Sequence, residues 1–196
     1  MDYLAEASGE IGSITPSLFG AATELTTRSG FKFTVRHVEA GDTEALAEFL
    51  TDVTSEDLRF RFLSSAKHVS SAQLQFLTHM DHTKSENFLA LDNVIGCVLG
   101  SAVLAMDDDR EQAEVAIVIR SSFKNRGIGW CMLDDVSRRA AGLGVKTLRS
   151  LESRSNSSAI LLERELGFKT RPYPDDPNTL VLEISLCNTT TDDVLP

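Results

Sequence analysis

The chain has 196 residues, 42% hydrophobic and 24% charged, which fits one globular domain long enough to bury a core. Its 29 acidic against 19 basic residues give a formal net charge of -10, which argues against a nucleic-acid partner because phosphate contacts need clustered Lys and Arg. The longest apolar stretch, 94–106, is broken by glycines and too short to span a bilayer, and the N-terminus lacks a signal-peptide pattern, so a cytoplasmic protein without membrane association is expected.

Residues 1–30 are rich in Gly, Ser and Thr without a sustained period and read as an N-terminal extension. The alternation of 31–38 predicts a first strand. Gly41-Asp42 supplies a turn and an N-cap, after which Leu46, Phe49, Leu50 and Val53 form one apolar helical stripe. A second helix is expected over 55–63. A third starts at Ser70, which can form a capping box with Gln73. Residues 88–91 and 97–106 read as neighbouring strands joined around Asp92-Asn93, and Asp107-Asp108-Asp109 as a polar hairpin tip before a strand over 112–120. A helix with Ile128, Met132, Val136 and Ala140 on one face closes at Gly142 or Gly144. A strand over 146–153 and a short helix over 156–166 follow. The segment with Pro172, Pro174 and Pro177 reads as a connection, because proline removes donors that a central strand requires. Residues 179–187 give a last strand and 188–196 a tail. Cys97, Cys131 and Cys187 sit in apolar positions and read as reduced core residues.

The segment Lys124-Asn125-Arg126-Gly127-Ile128-Gly129-Trp130 carries the most chemistry. A strand that turns through two glycines into a helix presents backbone N–H groups at the positive end of the helix dipole, a site for an anion such as a pyrophosphate. No acidic residue occurs from Val115 to Leu133, whereas Arg120, Lys124 and Arg126 are basic.

Arg126-Gly127-Ile128-Gly129 after a strand, then Asn156-Ser157-Ser158-Ala159 and Glu165-Leu166-Gly167-Phe168, resemble in order and spacing the two main motifs of the GNAT superfamily of acyl-CoA N-acyltransferases, over roughly residues 31–187. Asp57-Leu58-Arg59-Phe60-Arg61-Phe62-Leu63 with Gln75-Phe76-Leu77-Thr78-His79-Met80-Asp81 is similar to the acetyltransferase domain of bacterial protein lysine acetyltransferases. The acyl-CoA-synthetase-like region that often precedes that domain is not in this sequence. The resemblance implies an α/β (α+β) fold with a GNAT-like mixed, mostly antiparallel central sheet flanked by helices on both faces. It implies acetyl-CoA as co-substrate, no metal, and a protein lysine or a small amine as acceptor, in a monomer or homodimer. A domain that senses acyl-CoA without turnover is the rival reading.

In that frame the amides from Lys124 to Trp130 hold the pyrophosphate. Main-chain groups of Ile117, Val118 and Ile119 pair with the pantetheine arm as an added strand. An acceptor lysine of pKa near 10.4 is only about 0.04% neutral at pH 7, which costs roughly 4.6 kcal/mol without a base. Glu114, on one strand face with Ala116 and Val118, is the expected general base, with Glu152 in reserve. Asn156 is assigned to the pantetheine or to the helix start. Two departures stand out: Lys124 where the family loop usually begins with Gln or Arg, and Glu163 where a general-acid tyrosine is frequent. His79 and His82, three apart, have no further ligand near them in sequence, so no metal site is expected, and Asp81 is a candidate contact for a cationic substrate. The Arg59, Phe60, Arg61, Phe62 segment is placed near the cleft entrance. Cys131 is not expected to form a covalent intermediate, so transfer is direct.

Overall fold

The alternating segment after residue 30 forms a strand because Phe33 and Val35 point into one core while Thr34 and Arg36 point away. The computed structural model describes residues 21–62, 69–80 and 82–186. Eight strands make one sheet: β1 (Thr23–Thr26), β2 (Lys32–His37), β3 (Ser85–Asp92), β4 (Val98–Met106), β5 (Gln112–Ile119), β6 (Thr147–Ser153), β7 (Lys169–Tyr173) and β8 (Asp176–Ser185), in the order β1-β2-β3-β4-β5-β6-β8-β7. Every neighbouring pair is antiparallel except β5 and β6, which are parallel because a helix connects them.

Helices cover both faces. On one side lie α1 (Thr43–Thr51), α2 (Ser55–Phe62) and α3 (Ser71–Thr78). The predicted stripe of Leu46, Phe49, Leu50 and Val53 is buried there against Leu89 and Val118. On the other side lie α4 (Ile128–Gly142) and α5 (Ser157–Glu165). Ile128, Met132, Val136 and Ala140 of α4 pack on Val115, Leu148 and Phe33, as their spacing predicts. The α/β class and the mostly antiparallel sheet flanked on both faces are therefore borne out.

Local signals hold at several ends. Ser70 Oγ accepts from Gln73 N at 3.2 Å while Gln73 Oε1 accepts from Ser70 N at 2.9 Å, the reciprocal capping box. The end of α4 is settled by two bonds: Gly144 N to Ala141 O at 2.9 Å and Val145 N to Ala140 O at 3.1 Å. With Gly144 at φ +86° this is a Schellman ending.

Three expectations change. Residues 23–26, assigned to the extension, pair with β2 and extend the sheet. The proline-bearing segment is not a bare connection, since Pro172 lies in β7 and Pro177 in β8. β7 is the edge strand, where a missing N–H leaves no ladder partner unsatisfied, and Pro177 precedes the β8 residues that pair with β6. Asp42 stands at the start of α1 without capping it. Its carboxylate instead accepts two bonds of 2.7 Å from the Arg36 guanidinium and one of 2.7 Å from Glu39 N.

The Arg36 bonds hold the Asp42 carboxyl below its ordinary value. A depressed carboxyl stabilises the fold above its unfolded pKa and loses that contribution as pH falls through the folded value. Asp42→Asn should cost about 1–2 kcal/mol at pH 7 in denaturant unfolding. The gap to the unaltered protein should close as pH falls below about 3.9.

Candidate active site

β5 and β6 pair only at Gln112 with Thr147, Ala113 with Leu148 and Glu114 with Arg149, although both strands continue beyond. β5 keeps its other partner, β4, along its full length. From Val115 onward its main-chain groups on the β6 side therefore face a gap, and such groups need water or an extended ligand. The gap opens into a cavity of about 210 Å³.

The glycine loop closes one end of that cavity. Asn125 at φ +59° and Gly127 at φ +83° turn the chain from β5 into α4. The first loop-to-helix bond is Cys131 N to Gly127 O at 3.1 Å, so the amides of Ile128, Gly129 and Trp130 sit in the opening turn, where no preceding carbonyl completes them. At Gly129 an added Cβ would meet Leu162 Cδ1 at 3.4 Å and Ile119 Cγ1 at 3.6 Å, ordinary packing distances, so this glycine lies between β5 and α5. Ile117, Val118, Ile119, Lys124, Asn125, Gly127, Ile128, Gly129, Trp130, Glu152 and Asn156 all line this one cavity. Arg126 and Glu114 do not. The Arg126 guanidinium instead lies 4.5 Å from the Phe123 ring centroid.

Two of the three cations near the loop, Arg120 and Lys124, are engaged by acids. Arg120 is buried, donating from Nε to Val98 O at 2.7 Å and pairing with Glu48 of α1 and with Asp52 just after it. Lys124 Nζ pairs with Asp57 of α2, itself a lining residue. Acids distant in sequence thus offset these two cations, and the amides at the start of α4 are fixed donors of the kind that bind an anion.

Glu152 and Glu163 line the cavity, and Glu114 stands outside that lining at the last β5–β6 pair. Glu114, with a side chain 41% exposed, lies 3.4 Å from the Arg149 guanidinium. The apolar surroundings expected for it are therefore replaced by a cation across the last β5–β6 pair. Glu152 Oε2 accepts from Asn156 Nδ2 at 2.7 Å. Asn156 precedes α5 without capping its backbone; its Nδ2 serves Glu152 while its Oδ1 accepts from the Ser158 hydroxyl of the first turn at 3.2 Å. Glu163 of α5 is 5% exposed, accepts from the Ser150 hydroxyl of β6 and is hydrogen-bonded to Glu152. Burial pushes its carboxyl up to about 8, and the charge of Glu152 adds to the rise. Phe60 lines the cavity, in keeping with the place near the cleft entrance expected for its segment; Asp57, Phe123 and Leu162 also line it, and their proximity depends on how α2 and α5 pack.

Other candidates are placed elsewhere. His82 Nδ1 bonds Glu86 at 2.7 Å and His79 Nδ1 bonds Thr78 at 3.0 Å, and no metal-holding cluster occurs among the described residues. Asp81, Cys187 and the side chains of Arg61 and Phe62 lie outside the described residues. Burial raises the Cys131 thiol above its ordinary value, which disfavours the thiolate a covalent route needs.

A mixed sheet whose parallel pair splays beside a glycine-started helix defines the acyl-CoA-binding N-acetyltransferase architecture. Residues 48–168 match the model of the Acetyltransferase (GNAT) family. An acetyltransferase of Pseudomonas aeruginosa is 27% identical over 157 residues, covering 78% of this chain and 83% of that protein. Among solved structures, the GNAT domain of S. lividans PAT superposes with a TM-score of 0.78 at 19% identity, covering 88% of this chain and 99% of that one. Spermidine N-acetyltransferase from Vibrio cholerae, in complex with CoA and spermine, gives a TM-score of 0.64 at 17% identity, covering 79% and 95%. The chain belongs to the acetyltransferase (GNAT) family and is an acyl-CoA-dependent N-acetyltransferase whose acetyl donor is acetyl-CoA.

Two substitutions separate the loop's role from its framework. Gly127→Val forces a β-branched residue to φ +83°, a strain of about 1–3 kcal/mol, and calorimetry should find acetyl-CoA binding lost. Arg120→Met leaves Val98 O without its donor, so it should lower stability by about 1–3 kcal/mol while calorimetric affinity for acetyl-CoA changes little.

Proposed function

We propose that this protein transfers the acetyl group of acetyl-CoA directly to the side-chain amine of a protein lysine, in the cytoplasm. The observation that carries this reading is the joining of the unpaired β5 edge, the Gly127–Gly129 helix start and the cleft carboxyls around one cavity. The amides from Lys124 to Trp130 grip the pyrophosphate, and the main chain of Ile117, Val118 and Ile119 receives the pantetheine as a ninth strand would sit. This lays the thioester along β5 toward the point where β6 departs.

Glu114 stands at that point, on the strand face turned away from Val115 and Ile117. As general base it takes the proton of the acceptor ammonium, directly or through one water, and Arg149 holds its carboxylate in place. Glu152, hydrogen-bonded to Asn156 inside the cleft, remains the alternative base. The acidic surface suits a cationic acceptor, and the fold similarity to the S. lividans PAT domain supports a protein lysine. The similarity to a spermidine acetyltransferase favours the second reading, a small polyamine or amino acid.

Thiol release measured with acetyl-CoA against lysine-bearing proteins, free amino acids and polyamines distinguishes these readings. Labelled protein supports lysine transfer, release with free amines alone replaces it with the small-molecule reading, and binding without release leaves an acyl-CoA sensor. Glu114→Gln should lower kcat by about 10²–10⁴-fold with calorimetric affinity for acetyl-CoA nearly unchanged. Unaltered turnover would remove Glu114 from the reaction.

A further inference from the structure

Most arginines of this acidic chain are engaged, and the exceptions gather at one place. Among the described arginines, only Arg28 and Arg126 make neither a hydrogen bond nor an ion pair. Arg126 belongs to the glycine loop. Arg28 reaches the same loop from the turn between β1 and β2, outside the residues 48–168 that match the family model. Its guanidinium lies over the Trp130 ring, 4.8 Å from the centroid, and Trp130 stands in the opening turn of α4 and lines the cavity. The turn that carries Arg28 is braced. Thr27 N donates to Phe31 O and Gly30 N to Thr27 O, both at 2.9 Å, and Phe31 N donates to Thr27 Oγ1 at 3.1 Å. Thr27 is buried, and a Cβ added at Gly127 would lie 3.4 Å from its own. Arg28 is thus an exposed cation on a fixed turn that packs against the glycine loop.

We propose that Arg28 binds the phosphomonoester on the ribose of coenzyme A and makes this protein prefer that coenzyme to its dephosphorylated form. The proposal rests on the cleft being the acyl-CoA site. The coenzyme carries a diphosphate and, on the ribose attached to it, a phosphomonoester. That ribose is a short tether. A diphosphate held on the amides of α4 therefore keeps the monoester beside the glycine loop. A phosphomonoester carries about -1.5 to -2 charge at pH 7, more than fixed amides alone offset. A guanidinium meets such a group with paired N–H donors. Arg28 brings to this place a guanidinium that no acid engages.

The neighbouring cations suit the task less well. Arg120 is buried among its own partners, and Lys124 is paired with Asp57. Arg126 turns toward Phe123, its guanidinium 4.5 Å from that ring centroid. Stacking on Trp130 uses the face of the Arg28 guanidinium and leaves its N–H donors, which lie in the plane, available to an anion. Charge sharpens the requirement. A chain of net charge -10 repels a polyanionic coenzyme at a distance, and an unpaired guanidinium beside the cleft offsets that repulsion where the phosphates arrive.

Calorimetry of the full chain with acetyl-CoA and with acetyl-dephospho-CoA tests the assignment, using the unaltered protein, Arg28→Met, Arg28→Lys and Arg126→Met. The unaltered protein should bind acetyl-CoA about 10–100-fold more tightly than the analogue. Arg28→Met should weaken acetyl-CoA by about tenfold or more, while affinity for the analogue stays within about twofold. Arg28→Lys, which keeps the charge without the planar fork, should recover part of the difference. The position is exposed and methionine still covers Trp130, so these variants should fold, as thermal unfolding will check. An Arg28 that only props Trp130 and the loop would weaken both coenzymes alike when replaced, and that result overturns the proposal. Equal affinity of the unaltered protein for both coenzymes also overturns it and needs no variant. Loss of the preference in Arg126→Met with its retention in Arg28→Met assigns the monoester to Arg126 and likewise overturns it. An unaltered protein that binds neither coenzyme sinks the acyl-CoA site and this proposal together; one that binds both equally sinks the proposal alone.

Discussion

Main-chain hydrogen bonding decides what this sheet can do. A parallel pair that stops after three residues leaves one side of β5 without its ladder, in a region whose other side is fully paired with β4. A folded chain can satisfy such an edge with water, with another strand or with an extended ligand that carries its own amides. The pantetheine arm of coenzyme A is a ligand of that third kind. The cavity beside β5 is thus the consequence of one unfinished pairing, and the surrounding elements are arranged to keep it unfinished. α4 carries the chain across from β5 to β6. Its Gly129 packs beside Ile119 and Leu162, which sets the helix start at the end of the gap.

Electrostatics reinforce this division of labour. A chain of net charge -10 could bind an anion by gathering cations, and Arg120 and Lys124 stand where they could serve. The fold uses them otherwise. Arg120 ties β5 and β4 to α1, and Lys124 ties the loop to α2. With those charges neutralised, the donors left for a diphosphate are fixed amides at a helix N-terminus, whose direction is set by backbone conformation. Backbone donors of this kind are insensitive to side-chain identity but sensitive to φ, which makes the glycine at position 127 matter more than the lysine at 124.

What the sequence discloses and what it conceals divide along the same line. Strand alternation at 31–38, the helical stripe from Leu46 to Val53 and the Ser70–Gln73 box are local patterns, and each appears in the fold within a few residues of its expected place. The glycine loop was legible because its geometry is written in two neighbouring turns. By contrast, the Lys124–Asp57 pair joins residues 67 apart, and Ser150 meets Glu163 across 13. No period or motif announces such contacts. Pro172 misled for a related reason: its cost depends on whether the strand lies inside the sheet or at its edge, and that is a tertiary fact. Glu114 is a candidate by its position in the strand, and its partner, Arg149, is visible only through the parallel register.

The same contrast of surroundings divides the glutamates near the cleft. Glu114 and Glu163 are the same residue type placed in opposite company. Glu114 has a guanidinium as neighbour at a half-open strand position, and Glu163 has a carboxylate as neighbour beneath a helix. Environment separates the two groups where residue identity does not, in the manner of paired carboxylates whose surroundings drive them apart. The parting of β5 from β6 sets them apart: Glu114 stands at the last paired residue of β5, outside the cavity lining, and Glu163 in that lining on the helix that follows β6. Closing that gap would merge their surroundings and pair the open edge of β5, so the unfinished ladder underlies both the cavity and the separation of the two carboxyls.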